Sequence, residues 1–324
     1  MRSAGVGMET VFSLARVRPY ASPVATIGVF DGVHTGHRKI LSATAEWARE
    51  IDGTAIAITF DRHPERILKG NPPESITSLE HKLHLIADTD IDVCVVLHFD
   101  QNMAQMRAER FVREILVEAL AVKAVVLGHN ARFGSGGTGD ADLLARLGAK
   151  YGFCVRTVSP LEIDGAPVSS TRIRRLIESG ELDAAARLLG RPFTLRGTVV
   201  HGAKRGRDLA FPTANLNLHH EATPPSGVYI ARASLRRRKY WALANIGTRP
   251  TFSSCRTGNK HVEVHLEDYE GAECYGETME VKLVRLLRGE EQFESPEVLV
   301  AQIRRDMRSL EAFRREIESG SKSA

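Results

Sequence analysis

The sequence predicts an α/β fold for the first half of the chain and a small antiparallel β-barrel for the second half. In the first half, short runs of Val, Ile and Ala alternate with amphipathic segments, the pattern of βαβ units around a parallel sheet that is buried on both faces. From about Arg191, strand-like segments follow one another without helices between them. At 324 residues the chain is also long for one hydrophobic core. We therefore expect two domains, residues 1–187 and 188–324, divided in the segment "LLGRPF".

The predicted elements of the first domain alternate regularly. The strands are "VATIGVF", "GTAIAITF", "IDVCVVLHF", "VKAVVLG" and "FCVRTVSP". The helices are "GHRKILSATAEWAREID", "SLEHKLHLIADT", "RAERFVREILVEALA" and "ADLLARLGAKYG". This order favours a doubly wound sheet with helices on both faces.

The second domain consists mainly of predicted strands. They are "LRGTVVHG", "GVYIARASL", "KYWALANIG", "KHVEVHLEDY" and "TMEVKLVRLLR". The basic run "LRRRKY" is predicted to form a hairpin turn between the second and third of these strands. A final helix should begin after Ser295, a good N-cap, with Pro296 at its first position. Its apolar face would contain Leu299, Ile303, Leu310, Phe313 and Ile317.

The composition excludes several classes of protein. Hydrophobic residues make up 43% and charged residues 26% of the chain, which is typical of soluble globular proteins. The net charge of +4 is too small to indicate nucleic acid, although it suits anionic small molecules such as nucleotides. The four cysteines form no CxxC pair, which argues against a zinc ribbon or a redox pair. Without a signal-peptide pattern or an apolar run of membrane-spanning length, we expect a cytoplasmic protein with neither membrane nor nucleic-acid partners, and a weak homo-oligomer is left open.

The segment "FDGVHTGH" places two histidines directly after the first predicted strand. Ligands of doubly wound sheets bind at the carboxyl ends of the strands, and the N-terminus of the next helix attracts phosphate. His34 and His37 can donate hydrogen bonds to a phosphoryl group as its charge develops. A metal site or two surface histidines are the alternatives, but the flanking Gly32 and Gly36 favour phosphate chemistry.

A second segment, "APVSSTRIRRLIESGEL", combines hydroxyl groups with arginines at a predicted helix start. Cations in a first helical turn oppose the helix dipole unless an anion lies nearby, and a triphosphate would supply that anion. A capped helix with a solvated basic face is the alternative.

The glycine-rich segment "GHNARFGSGGTGD" does not match a dinucleotide fingerprint. It follows a late strand and lacks the G-x-G-x-x-G spacing, and the chain contains no Walker motif. The sequence therefore argues against a dinucleotide-dependent oxidoreductase.

In this order, "GVFDGVHTGHRKIL", "TFDRHP", "GHNARFGSGGTGD" and "VSSTRIR" resemble the adenylyltransferase domain of prokaryotic bifunctional riboflavin kinase/FAD synthetases. The second half resembles their kinase domain through "HGAKRGRDLAFPTANL", "ANIGTRPTF" and "HVEVHLEDYEG". The resemblance extends from about Val24 to Met307. It implies a Rossmann-like nucleotidyltransferase domain with a parallel sheet, followed by a six-stranded riboflavin kinase barrel with a C-terminal helix.

The resemblance implies that the first domain joins AMP from ATP to FMN, with Mg²⁺, to give FAD and pyrophosphate. His34 and His37 would then steady the triphosphate and the pentavalent phosphorus, so that positioning and charge neutralisation carry the catalysis. The implied ATP- and phosphate-binding residues are Gly28, Asp31, Gly36, Ser170, Thr171 and Arg174. The implied flavin-binding residues are His63, Asn130 and Phe133.

The resemblance also implies that the second domain transfers the γ-phosphoryl group of ATP to the riboflavin 5′-hydroxyl. Glu263 would be the general base, and strand alternation in "HVEVHL" places it on the face opposite the apolar side chains. Thr213 and Asn215 of "PTAN" would bind the metal, since both offer the oxygen ligands that Mg²⁺ takes. The implied phosphate-binding loop residues are Gly202, Lys204 and Arg207.

Two other hypotheses are compatible with the sequence. In one, a single half is active and the other is a structural remnant. In the other, the chain is a flavin- or nucleotide-binding regulatory module without turnover.

Overall fold

The computed structural model describes residues 7–68, 72–201, 211–220, 222–248, 260–270 and 273–320. The chain divides into two compact units, Met1–Arg172 and Ile173–Ala324. The division that the sequence predicts after residue 187 stays a prediction.

The first unit contains a six-stranded sheet in which all neighbouring strands are parallel, in the order β1-β4-β3-β2-β5-β6. Five of its strands were predicted from the sequence. The sixth, β1, is a three-residue edge strand whose register pairs Thr10 with Cys94 of β4, and its short pattern escaped prediction. The strands are β1 (Glu9–Val11), β2 (Val24–Ile27), β3 (Ala55–Phe60), β4 (Val93–Leu97), β5 (Ala124–Gly128) and β6 (Cys154–Val158).

Helices follow the strands and cover both faces of this sheet. They are α1 (Thr35–Glu50), α2 (Glu65–Leu68), α3 (Leu79–Ala87), α4 (Gln101–Gln105), α5 (Ala108–Phe111), the π-helical segment Val112–Ala119, and α6 (Ala141–Tyr151). A small hairpin, β7 (Glu162–Ile163) and β8 (Ala166–Pro167), then leads into α7 (Ser170–Glu178), which is followed by α8 (Leu182–Leu189). The helix ends follow capping rules: Asp140 accepts a 2.9 Å hydrogen bond from the Leu143 amide, and Gly152 ends α6 in the left-handed conformation.

The inner parallel strands are buried on both faces, as their continuous apolar composition predicts, whereas the edge strand β6 is largely exposed. On β3, Ile56 and Ile58 pack in one hydrophobic layer, whereas Ala55 and Ala57 pack in the other. Such a sheet directs the carboxyl ends of its strands towards one edge, where loops are free to carry functional groups.

The second unit is a closed antiparallel barrel with the strand order β10-β13-β12-β11-β14-β9. Its strands are β9 (Thr194–Val200), β10 (Ala214–Leu218), β11 (Gly227–Leu235), β12 (Arg238–Thr248), β13 (Lys260–Leu266) and β14 (Thr278–Gly289). The predicted hairpin turn is confirmed: Arg236 and Arg237 connect β11 to β12 with φ of 52° and 64°. Positive φ at both central residues matches the twist of the flanking strands.

The final helix, α9 (Pro296–Gly320), begins as predicted and packs on the outside of the barrel. Leu310 is fully buried there, and the rings of Trp241 and Phe313 meet edge to face at 6.1 Å. The guanidinium of Arg288 donates two-pronged hydrogen bonds to the carboxylate of Asp306 on the same helix face. The prediction for Ile317 was wrong: this side chain is 50% exposed near the helix end. In the described part of the chain, no helix combines the length and the apolar character needed to span a membrane.

Candidate active sites

The turn between β2 and α1 is shaped by unusual backbone angles. Phe30 and Val33 have φ of 52° and 37°, and Gly32 has φ of 81°. A left-handed conformation is costly for a β-branched residue such as Val33, and such strain is characteristic of functional sites. The Phe30 ring folds back over Gly28, where a Cβ would come within 2.8 Å of it. Gly28 is thus required for the shape of the turn, and its amide is occupied by the Ile58 carbonyl at 3.0 Å.

The two predicted histidines lie together at the N-terminus of α1. Their rings stack with centroids 3.5 Å apart and planes inclined by 15°. His34 is the N-cap, and its Nδ1 accepts a 3.2 Å hydrogen bond from the His37 amide. Neutral His34 must therefore carry its proton on Nε2, which makes that atom a donor. A Cβ on Gly36 would lie 3.2 Å from the His34 ring, so the glycine gives this ring its space.

His37 is held in its neutral form. Burial, His34 and the nearby Lys82 together lower the pKa of His37 well below its usual value. Its Nδ1 is buried without a hydrogen-bond partner among the described residues. A neutral ring with its proton on Nε2 leaves only an unfilled acceptor at Nδ1, which costs less than a buried unpaired charge. His37 can thus offer an N–H donor to an anion.

Asp31 organises the turn. Its buried carboxylate accepts hydrogen bonds from the amides of Ile76 and Thr77, and the Thr77 hydroxyl in turn accepts a 3.0 Å bond from the Gly32 amide. Because this carboxylate is engaged within the protein, the structure supports a positioning role for Asp31. Its direct contact with ATP phosphates stays a prediction.

The start of α7 is joined to the same turn. The Ser170 hydroxyl donates a 2.9 Å hydrogen bond to the carbonyl of Asp31. Thr171, the next residue, is exposed. Gly36 likewise faces this segment, since its hypothetical Cβ lies 3.8 Å from the Val168 carbonyl.

The arginines of this helix have different roles. Arg172 donates hydrogen bonds of 2.8 and 3.0 Å to the carbonyls of Ile163 and Ala166, so it holds the β7–β8 hairpin. Arg174 is buried and lies one helical turn after Ser170, on the same helix face. The expected phosphate contact of Arg174 stays a prediction.

The predicted flavin-binding residues lie in the loops after β3 and β5. His63 accepts a 3.2 Å hydrogen bond from the Glu65 amide, and Asn130 is exposed in a turn. Phe133 is buried, 6.0 Å from the Phe111 ring, and its backbone pairs with Gly139. Phe133 thus anchors the glycine-rich loop in the core. Direct flavin contact by these three residues is untested.

Sequence reasoning missed a buried lysine at this edge of the sheet. Lys82 of α3 donates hydrogen bonds from Nζ to the carbonyls of Phe60 at 2.8 Å and Val29 at 3.2 Å. Lysines on amphipathic helices are usually exposed, so only the spacing of Lys82 with the buried Leu85 and Ile86 could have suggested that it points inward.

In the barrel, three polar residues form a row across neighbouring strands. Two of them were predicted as site residues, and the third lies beside them. Glu263 of β13 lies directly opposite Asn215 of β10 on one side and Asn245 of β12 on the other. Directly opposed residues share a face, with Cβ atoms about 4.5–5.5 Å apart. Val262 and Val264 are fully buried on the other face, so the predicted orientation of Glu263 is confirmed.

Thr213 precedes this row in the segment that enters β10. His265, two residues after Glu263, binds the carbonyl of Pro212 through Nδ1 at 2.9 Å, and its ring meets that of Phe211 at 5.7 Å. His265 therefore fixes the segment that carries Thr213. The predicted loop residues Gly202, Lys204 and Arg207 lie outside the described residues.

Three further polar or glycine positions complete the row. His261 lies opposite Gly247, and its Nε2 is 3.9 Å from Oε1 of Glu263. A Cβ on Gly247 would meet Oε1 of Glu290 at 2.7 Å and the His261 ring at 3.0 Å. Asn245, His261 and Glu290 were not predicted; Asn245 comes beside Glu263 only through the strand register, and Glu290 approaches Gly247 only in the folded barrel.

Comparison with known proteins assigns a different family model to each half of the chain. The FAD synthetase family model matches residues 19–172, and the riboflavin kinase family model matches residues 189–314. The bifunctional riboflavin kinase/FMN adenylyltransferase of Escherichia coli is 37% identical over 290 residues, which cover 89% of this chain and 91% of that protein. The chain belongs to the bifunctional riboflavin kinase/FMN adenylyltransferase family.

Other family members and a solved structure give the same picture. The family member from Pseudomonas fluorescens is 35% identical over 306 residues, covering 94% of this chain and 97% of its own. A crystal structure described as a macrolide-efflux protein from Streptococcus pneumoniae superposes with a TM-score of 0.81 and 29% identity, covering 94% and 98% of the two chains. The predicted fold class, the enzyme class and the role in flavin cofactor synthesis are therefore confirmed for this family member.

Proposed function

We propose that the chain phosphorylates riboflavin to FMN in its barrel and then adenylylates FMN to FAD in its parallel-sheet unit. The observation that carries this proposal is the presence in one chain of two separate polar clusters, one in the range matched by each family model. The sites need not cooperate for either reaction. We place the reactions in the cytoplasm, with small-molecule substrates and without nucleic acid.

In the adenylyltransferase, an FMN phosphate oxygen attacks the α-phosphorus of ATP, the bond to the β-phosphate oxygen breaks, and pyrophosphate leaves. His34 and neutral His37 donate N–H groups to the triphosphate and so stabilise its negative charge. The α1 N-terminus adds its positive dipole. Thr171 and Arg174 bind the β- and γ-phosphates. Ser170 holds α7 against the turn through its bond to Asp31. His63 and Asn130 line the flavin region.

In the kinase, Glu263 accepts the proton of the riboflavin 5′-hydroxyl as that oxygen attacks the γ-phosphorus of ATP and ADP leaves. Asn215 and Asn245 flank the carboxylate across the strands, and their amides can orient both the base and the hydroxyl.

The residues of the barrel site fit a magnesium ion. The Thr213 hydroxyl and the Asn215 amide oxygen are hard ligands of the kind that Mg²⁺ accepts alongside water and phosphate oxygens. When bound, the ion would neutralise phosphate charge. Thr213 and Asn215 would hold the ion, and Glu263 would remain the general base.

A time course tests the proposal directly. Purified protein is incubated with riboflavin, ATP and Mg²⁺, and the flavins are separated by chromatography. FMN that appears before FAD supports both activities and their order. His37→Ala should stop FAD formation but leave FMN, whereas Glu263→Gln should stop FMN formation but leave FAD synthesis from added FMN. Turnover by neither half of the folded protein would overturn the proposal and favour a binding module, and turnover by one half would favour a structural remnant.

A further inference from the structure

A buried ammonium group lies beside the phosphate-binding turn. Lys82 is 6% exposed, and its Nζ joins Val29, at the start of the turn, to Phe60, at the carboxyl end of β3. The hydrogen bonds described for this nitrogen both go to the backbone carbonyls of these two residues. Its hydrogen-bond partners are thus two neutral carbonyls.

If Lys82 served only to hold the two strand ends together, its burial would cost more free energy than that role requires. A buried charge without an opposite charge in contact carries a large desolvation cost. The Val29 carbonyl already accepts a 3.1 Å hydrogen bond from the Thr59 hydroxyl, so it does not need the lysine to be satisfied. A neutral donor would hold the two strand ends at lower cost. The positive charge of Lys82 is therefore better explained by a function than by a structural role.

The carboxylates near Lys82 balance its positive charge only in part, since burial outweighs their attraction. Burial lowers its pKa to about 8, while Asp31 of the turn, Cys94 of β4 and Asp61 after β3 raise it. The Asp31 carboxylate is occupied by the amides of Ile76 and Thr77.

The remaining neighbours add little to this balance. Asp61 is paired with His98 at 2.6 Å, and burial raises the pKa of the Cys94 thiol to about 12, so the thiol stays uncharged. His37, whose own pKa Lys82 and His34 help to lower, is neutral.

We propose that Lys82 is a positioning residue of the adenylyltransferase site, whose ammonium fixes the carbonyls of Val29 and Phe60 and supplies the buried positive potential that favours a nucleoside triphosphate in the turn. The inference rests on the proposed function. It assigns to Lys82 an effect on triphosphate capture that acts through the turn and through charge, without contact with the reacting atoms.

The test compares Lys82→Met and Lys82→Arg with the unaltered protein. For each protein, kcat/KM for ATP in FAD synthesis from FMN is measured between pH 6.5 and 9.5, because this ratio reports ionisations of the free enzyme. Riboflavin phosphorylation by the same preparation, with the same ATP and Mg²⁺, controls for titration of the nucleotide and for changes in the other half.

In the unaltered protein, kcat/KM for ATP should fall above about pH 8 as Lys82 loses its proton. Lys82→Met should lower the ratio on the order of tenfold at pH 7, mainly through KM, and abolish the fall near pH 8. Lys82→Arg, which stays charged, should retain most of the ratio and extend it to higher pH.

Several outcomes would overturn the inference. One is a Lys82→Met protein that keeps both its kcat/KM and the inflection near pH 8. Another is a Lys82→Met protein with reduced kcat, unchanged KM and a lowered melting temperature, which would indicate a structural clamp alone. If Lys82→Arg does not fold, the Lys82→Met profile decides by itself. Absence of FAD synthesis in the unaltered protein would instead refute the proposed function.

Discussion

The hydroxyl of Ser170 donates a 2.9 Å hydrogen bond to the backbone carbonyl of Asp31, although the two residues lie 139 positions apart. This bond joins the start of α7 to the turn that carries both histidines. Because the Asp31 carboxylate simultaneously holds the backbone at Ile76 and Thr77, three distant segments share one residue. The serine-rich and histidine-rich motifs are therefore adjacent in the structure.

Ser170→Ala should weaken the adenylyltransferase without affecting the kinase. Loss of one hydrogen bond of about 1 kcal/mol corresponds to roughly a fivefold rise in KM for ATP in FAD synthesis. Ser179→Ala is the matched control, since the Ser179 hydroxyl lies just beyond the other end of α7 and bonds the nearby Leu176 carbonyl. Steady-state kinetics of both half-reactions check this expectation. Equal effects of the two substitutions would contradict it.

The sequence was sufficient for features that local pattern controls. Continuous apolar runs predicted the four inner strands of the sheet, and strict alternation placed Glu263 on the face opposite to Val262 and Val264. The cap and first residue of α9 followed from Ser295 and Pro296. These features depend on neighbours in the chain, which is why the residues alone predict them.

Features set by distant packing could not be predicted. Asn245 approaches Glu263 only through the register of β12 and β13. Lys82 points inward because two strand ends offer it carbonyls, although its position on an amphipathic helix favours exposure. Arg172 is one of the arginines in "VSSTRIR" for which the sequence suggested a bound anion, but its guanidinium instead donates to two carbonyls of the β7–β8 hairpin.

Asn245→Ala should reduce riboflavin phosphorylation. Asn245 lies directly opposite Glu263, so its amide is placed to orient the base, and loss of an orienting hydrogen bond costs roughly tenfold in kcat. Asn217→Ala is the control, since Asn217 is exposed on β10 and pairs with Thr198 instead. The rate of FMN formation at saturating ATP tests this. An unchanged rate for Asn245→Ala would remove this residue from the site.

Gly247→Ala should impair the kinase through crowding. The new Cβ would come within 2.7 Å of Oε1 of Glu290 and 3.0 Å of the His261 ring, so both side chains must move away from the row that contains Glu263. We expect FMN formation to fall on the order of tenfold or more, while FAD synthesis from added FMN is unchanged.

Gly289→Ala provides the control for Gly247→Ala. Gly289 directly precedes Glu290, but a Cβ there meets nothing within 4 Å. Its kinase activity should stay close to that of the unaltered protein. Comparable losses in both variants would show that the crowding of His261 and Glu290 is not the cause.

Lys82 should also make the stability of the first unit depend on pH in the alkaline range. Burial lowers its pKa from 10.5 to about 8, so the unfolded chain binds more protons than the folded one between these values. The free energy of unfolding should therefore rise with pH across this interval, by roughly 3 kcal/mol relative to Lys82→Met, and the difference should be flat below pH 8.

Chemical denaturation at several pH values between 7 and 10.5 measures this difference. Trp47 lies in the core of the first unit and reports on it alone when Trp241 of the barrel is replaced by Phe in both proteins. Other groups titrate alike in the two proteins, so their contributions cancel in the comparison. A difference that stays constant from pH 7 to 10.5 would mean that Lys82 ionises near its ordinary pKa, which is incompatible with an ammonium buried against the carbonyls of Val29 and Phe60.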